Sequence, residues 1–290
     1  MNLGIVLNRV SFEEKQIIKA CKKLGINVFQ INNQRTFFEL NTKQDLEKES
    51  DVILQRSLSL LRGLYSTRIL ETKGYRVIND YDSLHVTGDK ILTSLRLLEH
   101  NIPTPLTYVA FTGKAALDNI ETKLDYPLIT KPAIGSWGRM VVKVENYNQA
   151  LSTVESKEVM GNIYQKIHYF QEFIDSQALK KDAPTDIRAF YLGGEVIAAI
   201  GRYRQEKDFR SNVTLGGESK PYEITEEMQA LCQKIAQAVG GEILGIDLME
   251  IEDGFVCLEV NGIPGFQGLS TTTGVNIGER IAQYIKTKNS

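Results

Sequence analysis

Gly245-Ile-Asp-Leu-Met-Glu-Ile-Glu-Asp-Gly-Phe-Val-Cys-Leu-Glu-Val-Asn261 places three oxygen-bearing side chains, Asp247, Glu259 and Asn261, inside two short apolar stretches. Apolar residues over such lengths predict two strands, and Glu252-Asp-Gly254 supplies a tight hairpin turn between them. Side chains alternate across a strand, so Glu259 and Asn261 share a face, and Asp247 on the neighbouring strand can converge with them. Two buried carboxylates are costly unless they are paired or hold a cation. Oxygen-only ligands suit Mg²⁺, which typically sits between carboxylates and nucleotide phosphates. The stretch therefore predicts a metal–nucleotide enzyme.

The chain around it has 290 residues, 42% of them hydrophobic, too long for one small domain and ample for a buried core. Its formal net charge of −2 gives no ground for a nucleic-acid or membrane-surface partner. Cys21, Cys232 and Cys257 lie far apart within apolar patterns and are expected to be buried free thiols, which fits a reducing, cytoplasmic setting. The first residues, Met-Asn-Leu-Gly-Ile-Val-Leu, run straight into a strand without a basic leader, and no apolar span is long enough to cross a bilayer.

Upstream, strands at 3–8, 28–31, 52–54 and 76–78 alternate with helices at 12–24 and 63–73, which are closed by Gly25 and Gly74. That alternation predicts a small open α/β domain over residues 1–84. A second region, 85–168, has Asp89 as the N-cap of a helix at 90–100 that Pro103 and Pro105 terminate. Strands at 106–111 and 127–131 then flank a helix at 113–123, followed by a strand at 140–144 and a helix at 147–156. Residues 169–290 are strand-rich, at 169–174, 186–192 and 195–200. A helix at 226–239, capped by Thr225, interrupts them, and a helix at about 277–286 closes the region.

Lys131-Pro-Ala-Ile-Gly-Ser-Trp-Gly-Arg139 is a glycine-rich turn between two strands. Gly135 and Gly138 let backbone N–H groups approach an anion, and Ser136 adds a donor. No Gly-Lys-Ser/Thr follows, so it is not a Walker A loop, and an ordinary turn carrying Trp137 at the surface is the competing reading. Lys131, in the preceding strand, needs an anionic partner if buried. Lys90 stands at a helix start, where the dipole disfavours it, and a solvated lysine is the alternative. Tyr169-Phe-Gln-Glu-Phe-Ile174 can present backbone groups to an adenine edge or be an ordinary core strand. Asp186-Ile-Arg188 and Gly201-Arg-Tyr-Arg204 carry guanidiniums that suit phosphate, carboxylate or the charge developing in acyl transfer, although Arg188 can also pair with Asp186. Phe209-Arg-Ser-Asn212 adds a basic, amide-bearing loop, and His85, His100 and His168 show no metal spacing.

The order of these elements resembles the ATP-grasp superfamily, specifically its RimK-like and LysX-like carboxylate–amine ligases, over essentially the whole chain. The resemblance implies an α/β and α+β molecule with the ATP-grasp fold: an N-terminal open α/β (pre-ATP-grasp) domain and two α+β subdomains clamping ATP. It implies that Lys90 and Lys131 contact phosphates and that Gly135, Ser136, Trp137 and Gly138 belong to the loop closing over ATP. Gln171, Glu172 and Ile174 occupy the place of the adenine- and ribose-contacting strand. Asp247, Glu259 and Asn261 match the ligands of Mg²⁺, with Mn²⁺ as a substitute. Arg188, Arg202 and Asn212 match positions that hold the phosphorylated intermediate or its carboxylate.

The implied reaction phosphorylates a glutamyl-type carboxylate and then lets the α-amine of glutamate or 2-aminoadipate displace phosphate, with Arg202 stabilising the oxyanion. Asn261-Gly-Ile-Pro-Gly-Phe266 and Phe209–Asn212 resemble RimK-like α-L-glutamate ligases, which extend a protein tail or a cofactor. Lys157-Glu-Val-Met-Gly161, Thr272-Thr-Gly-Val-Asn-Ile277 and the glycine turn resemble LysX-like ligases, which load a small carrier protein. The RimK-like reading leads, the LysX-like reading is its alternative, and a non-catalytic nucleotide-binding regulator is the second alternative. The resemblance admits a homo-oligomer, with no interface stripe readable.

Overall fold

The computed structural model describes residues 1–41, 50–135, 139–176, 182–204 and 218–288. Four short apolar strands, β1 (Asn2–Leu7), β2 (Asn27–Asn32), β3 (Val52–Gln55) and β4 (Val77–Ile78), pair in parallel in the order β2-β1-β3-β4. Parallel neighbours need crossovers, and α1 (Phe12–Lys23) and α2 (Leu60–Thr72) supply two of them. A reciprocal capping box between Ser11 and Glu14 starts α1, and Ile17, Ala20 and Cys21 form its buried stripe.

A helix that the sequence reading did not contain follows, α3 (Tyr81–Gly88), capped by Asp80 accepting from the Ser83 amide, and then the expected one, α4 (Lys90–Glu99), capped by Asp89. The junction expected between residues 84 and 85 falls inside α3. Next come β5 (Thr107–Ala110), α5 (Gly113–Lys123), β6 (Leu128–Lys131), β7 (Val142–Val144), α6 (Tyr147–Met160) and β8 (His168–Glu172). Their antiparallel sheet has the order β5-β8-β6-β7 and a small core of its own around Ile120, Leu128, Val154 and Phe170. β8 ends at Glu172, so Ile174, expected within the strand, lies beyond it.

The third sheet is antiparallel, order β11-β10-β9-β12-β13, from β9 (Asp186–Leu192), β10 (Glu195–Tyr203), β11 (Glu218–Pro221), β12 (Ile243–Ile251) and β13 (Gly254–Asn261). α7 (Glu226–Val239) covers one face. Thr225 caps it, Gly240 at φ 68° ends it, and Met228, Cys232, Ile235 and Val239 lie buried against Ile187, Ile246, Leu248 and Cys257. After β13 come the short α8 (Gln267–Thr273) and then α9 (Ile277–Lys288). α9 returns to the start of the chain, where Ile281 and Ile285 share one core with Leu3, Ile5, Ile17, Phe190 and Ile200. Cys21, Cys232 and Cys257 are buried free thiols. Among the described residues no helix is long and apolar enough to cross a membrane.

One buried amide ties the first sheet to the third. Asn79 Nδ2 donates to the carbonyls of Ile243 and Gly262, each at 2.7 Å, and its Oδ1 accepts from the amides of Glu242 and Ile243. Replacing it leaves buried backbone groups without partners, so Asn79→Ala should lower the unfolding free energy by roughly 2–4 kcal/mol. Urea denaturation measures this, and a loss under about 0.5 kcal/mol, within the range of ordinary surface substitutions, would contradict the assignment.

Candidate functional site

The hairpin read from the sequence is present, with Asp247 directly opposite Glu259 and Gly245 opposite Asn261. On its other side β12 pairs with β9, placing Arg188 opposite Asp247, so Arg188, Asp247 and Glu259 form one row across three strands. Arg202, opposite Asp186, extends the cluster onto β10. A bulge interrupts the β12–β13 register beside Asp247: Leu248 faces Cys257, while Asp247 faces Glu259. Simple alternation puts residues 257 and 259 on one face. The extra residue, Leu258, lets Cys257 enter the core while Leu258 and Glu259 both line the cleft.

The row is held by charge. Asp247 Oδ2 accepts from Arg188 Nη2 at 2.9 Å, and its Oδ1 lies 3.0 Å from Arg202 Nη2. Asp186 pairs with Arg202 Nε. Arg188, for which the sequence admits Asp186 as a partner, pairs across the strands with Asp247, which stands directly opposite it. Burial works against the Arg202 cation, but Asp186 and Asp247 outweigh it and raise its pKa further. Gly245 leaves room for this cluster, since a Cβ there would sit 2.9 Å from Arg188 Nη1.

Lys131 approaches from the second sheet and Lys90 from the start of α4. Lys90, the first residue of α4, reaches Glu259 at 3.3 Å and donates to the Gly135 carbonyl at 2.8 Å. Lys131 is buried, donates to Gln171 Oε1 at 2.9 Å and lies over the Tyr169 ring. Burial pulls its pKa down to about 8, Lys90 adds to that, and Glu259 and Asp247 oppose it. The Gln171 amide is engaged inward, by Lys131, Thr107 and Tyr169, and Glu172 accepts from the Leu106 amide. Both line the cleft together with Ile174. Ser136, Trp137, Gly138 and Asn212 lie outside the described residues.

These groups line a cleft of about 1110 Å³ bounded by the second and third sheets and by the segments that follow β1 and β3 of the first. The N-terminal wall was absent from the sequence reading. Arg56, paired with Glu14 at 3.0 Å, donates to the Pro264 carbonyl, and Glu13 Oε1 accepts from the amides of Phe266 and Gln267. The loop directly after Asn261 is therefore clamped by α1 and the end of β3. A buried pair separated by 42 positions, Glu14 and Arg56, leaves no local pattern to read.

The donor set suits a hard cation. Asp247 Oδ1 is buried and, despite its ionic contacts, makes no aligned hydrogen bond, and Glu259 and Asn261 add oxygens on the same face. Among the described residues no group of three His, Cys, Asp or Glu side chains could hold a metal, so a cation here needs the mixed carboxylate–amide set.

Lys131 gives the cleft a measurable signature. The unfolded chain keeps this proton to the ordinary value of 10.5, whereas the folded chain releases it near 8. The unfolded state thus binds more protons between these values, and the stability of wild type relative to Lys131→Met should rise with pH across that window. Urea unfolding below pH 8 and near 10.5 should reveal a relative gain on the order of 2–3 kcal/mol. Lys157, which burial also lowers to about 8, is present in both proteins and cancels.

Residues 87–285 match the RimK-like ATP-grasp domain and residues 3–86 the LysX preATP-grasp domain. The chain is 36% identical to the alpha-aminoadipate–LysW ligase LysX of Saccharolobus solfataricus, over 95% of this chain and 98% of that one. It is 33% identical to the glutamate–LysW ligase ArgX of Sulfolobus acidocaldarius, over 99% and 98%. A probable alpha-L-glutamate ligase of Legionella pneumophila is 30% identical over 77% of this chain and 72% of its own length. In fold, a RimK domain ATP-grasp protein from Sphaerobacter thermophilus superposes with a TM-score of 0.79 at 20% identity, covering 98% of this chain and 99% of that one. The chain belongs to the RimK-like ATP-grasp family of ligases and carries a LysX-type preATP-grasp domain ahead of the ATP-grasp domain.

Proposed function

We propose that this protein is an ADP-forming ligase that joins the α-amine of glutamate or 2-aminoadipate to a glutamyl-type carboxylate on a small carrier protein of the LysW type. The observation that carries the ligase chemistry is the row Arg188–Asp247–Glu259, with Arg202 and Lys90 at its ends, facing one cleft. The carrier branch is supported by relatives 33–36% identical, of which the chain covers 98%. The segment Gly262–Phe266 keeps the RimK-like α-L-glutamate reading as the second one.

Lys90 and Lys131 would meet the phosphates of ATP, and the backbone after β8, with Ile174, the nucleoside. Asp247, Glu259 and Asn261 would hold Mg²⁺, which supplies charge neutralisation for the phosphates when bound. The acceptor carboxylate oxygen attacks the γ-phosphorus, the bond to the β-phosphate oxygen breaks, and ADP leaves. The amine nitrogen then adds to the acyl carbon, and inorganic phosphate departs as the amide forms and the nitrogen loses a proton. Arg188 and Arg202, held by Asp247 and Asp186, would offer fixed guanidiniums to the oxyanion charge that develops at this carbon.

ADP release should require both an acidic amino acid and an acceptor. A LysW-type carrier should stimulate it and a free glutamyl peptide should not; the reverse result selects the RimK-like branch, and stimulation by neither removes the ligase reading. Arg202→Met should lower kcat by about a hundred- to a thousandfold. Glu259→Gln should abolish the dependence on Mg²⁺ concentration along with turnover, and a fully active Glu259→Gln enzyme would remove the metal assignment.

A further inference from the structure

Among the described residues the cationic side chains of the cleft are engaged by partners of this chain, with one exception. Arg56 pairs with Glu14, Arg188 and Arg202 with Asp247, Arg204 with Asp175, Lys90 with Glu259, and Lys131 with Gln171. Arg9 lines the same cleft, is exposed, and its guanidinium has no ion pair or hydrogen bond among the described residues.

Its place is fixed by the fold. Arg9 follows β1, at the carboxyl end of a parallel strand, where open α/β sheets receive ligands. The neighbouring Asn8 accepts from the Leu58 amide at 3.2 Å, tying this loop to the one after β3. Four residues on, Glu13 docks the first turn of α1 onto Phe266 and Gln267. Arg9 thereby stands on the wall that adjoins the loop following Asn261, whereas Lys90 starts α4 and Lys131 ends β6 of the second sheet.

The reaction proposed above leaves carboxylates over. Only one is activated, while an acidic amine donor or a glutamyl acceptor brings further anions into the cleft. An anion drawn from water needs a cationic partner, and a guanidinium fork matches a carboxylate in two hydrogen bonds. We propose that Arg9 binds the non-reacting carboxylate of an acidic substrate and so sets the preference for acidic over neutral side chains. This rests on the ligase reading. The carboxylate belongs either to the amine donor or to the acceptor, and kinetics separates the two.

The test is steady-state ADP release by full-length wild type, Arg9→Met and Arg9→Lys, varying MgATP, the acidic amino acid and the acceptor in turn. Arg9→Met should raise the KM of one acidic substrate about ten- to a hundredfold, the loss of one charge-assisted contact, with the KM for MgATP unchanged. A shift in the amino-acid KM, with collapse of the preference for glutamate over glutamine, assigns the carboxylate to the donor. A shift in the acceptor KM assigns it to the acceptor. Arg9→Lys, which keeps the charge, should recover part of either loss. Unchanged KM values in an active Arg9→Met enzyme overturn the assignment, as does an equal rise in the KM for MgATP. Wild type that turns over with no acidic amino acid overturns the ligase reading itself, and this one with it.

Discussion

Asp247 is the group on which the site turns. A carboxylate this far from water is tolerable as an anion only with cations against it, and two arginines from adjacent strands provide them. Because those arginines stand on β9 and β10, their meeting with Asp247 requires correct register through two strand pairings, β10–β9 and β9–β12, and Glu259 joins through a third, β12–β13. A slip by one residue would turn Asp247 and Glu259 into the packing of Met228 and Cys232. The apolar core beneath the sheet and the charges above it therefore enforce the same alignment.

How much of this was written in the chain differs by kind of signal. The hairpin, the helix caps at Asp89 and Thr225, and the alternation of the first domain are local patterns, and they appear where expected. The bulge at Leu258 has no such signature, because an extra residue in a strand looks like an uninterrupted apolar run. α3 was missed although Asp80-Tyr-Asp-Ser83 carries a usable cap, and α8, built from Gly, Ser and Thr, has little helical propensity to read. Arg188 and Asp186 looked like a pair because they are close in sequence, yet strand geometry gives each a partner on the next strand. Gln171, expected to face a nucleotide, spends its amide oxygen on the buried Lys131, whose ammonium makes no other hydrogen bond among the described residues.

The amino-terminal domain takes part in the site through contacts that no spacing rule anticipates. Glu13, Glu14 and Arg56 are each unremarkable charged residues in sequence, and together they pin Pro264, Phe266 and Gln267 from outside. The segment directly after Asn261 is thus the one the first domain grips. Variation in specificity then has two addresses, the loop itself and the wall that shapes it, and a change in one alters the geometry the other presents.

The sharing of one core by β1 and α9 has a consequence for how the molecule comes into being. Leu3, Ile5 and Ile17 emerge from the ribosome long before Ile281 and Ile285, so the core they share is not complete until α9 has been made. Contacts so distant along the chain are closed late and at an entropic cost. The first sheet is accordingly an incomplete folding unit during synthesis, whereas the third sheet and α7 can consolidate from residues already made. Arg9 and Arg56 follow β1 and β3 of the first sheet, so the cleft wall they form is complete only once α9 has docked.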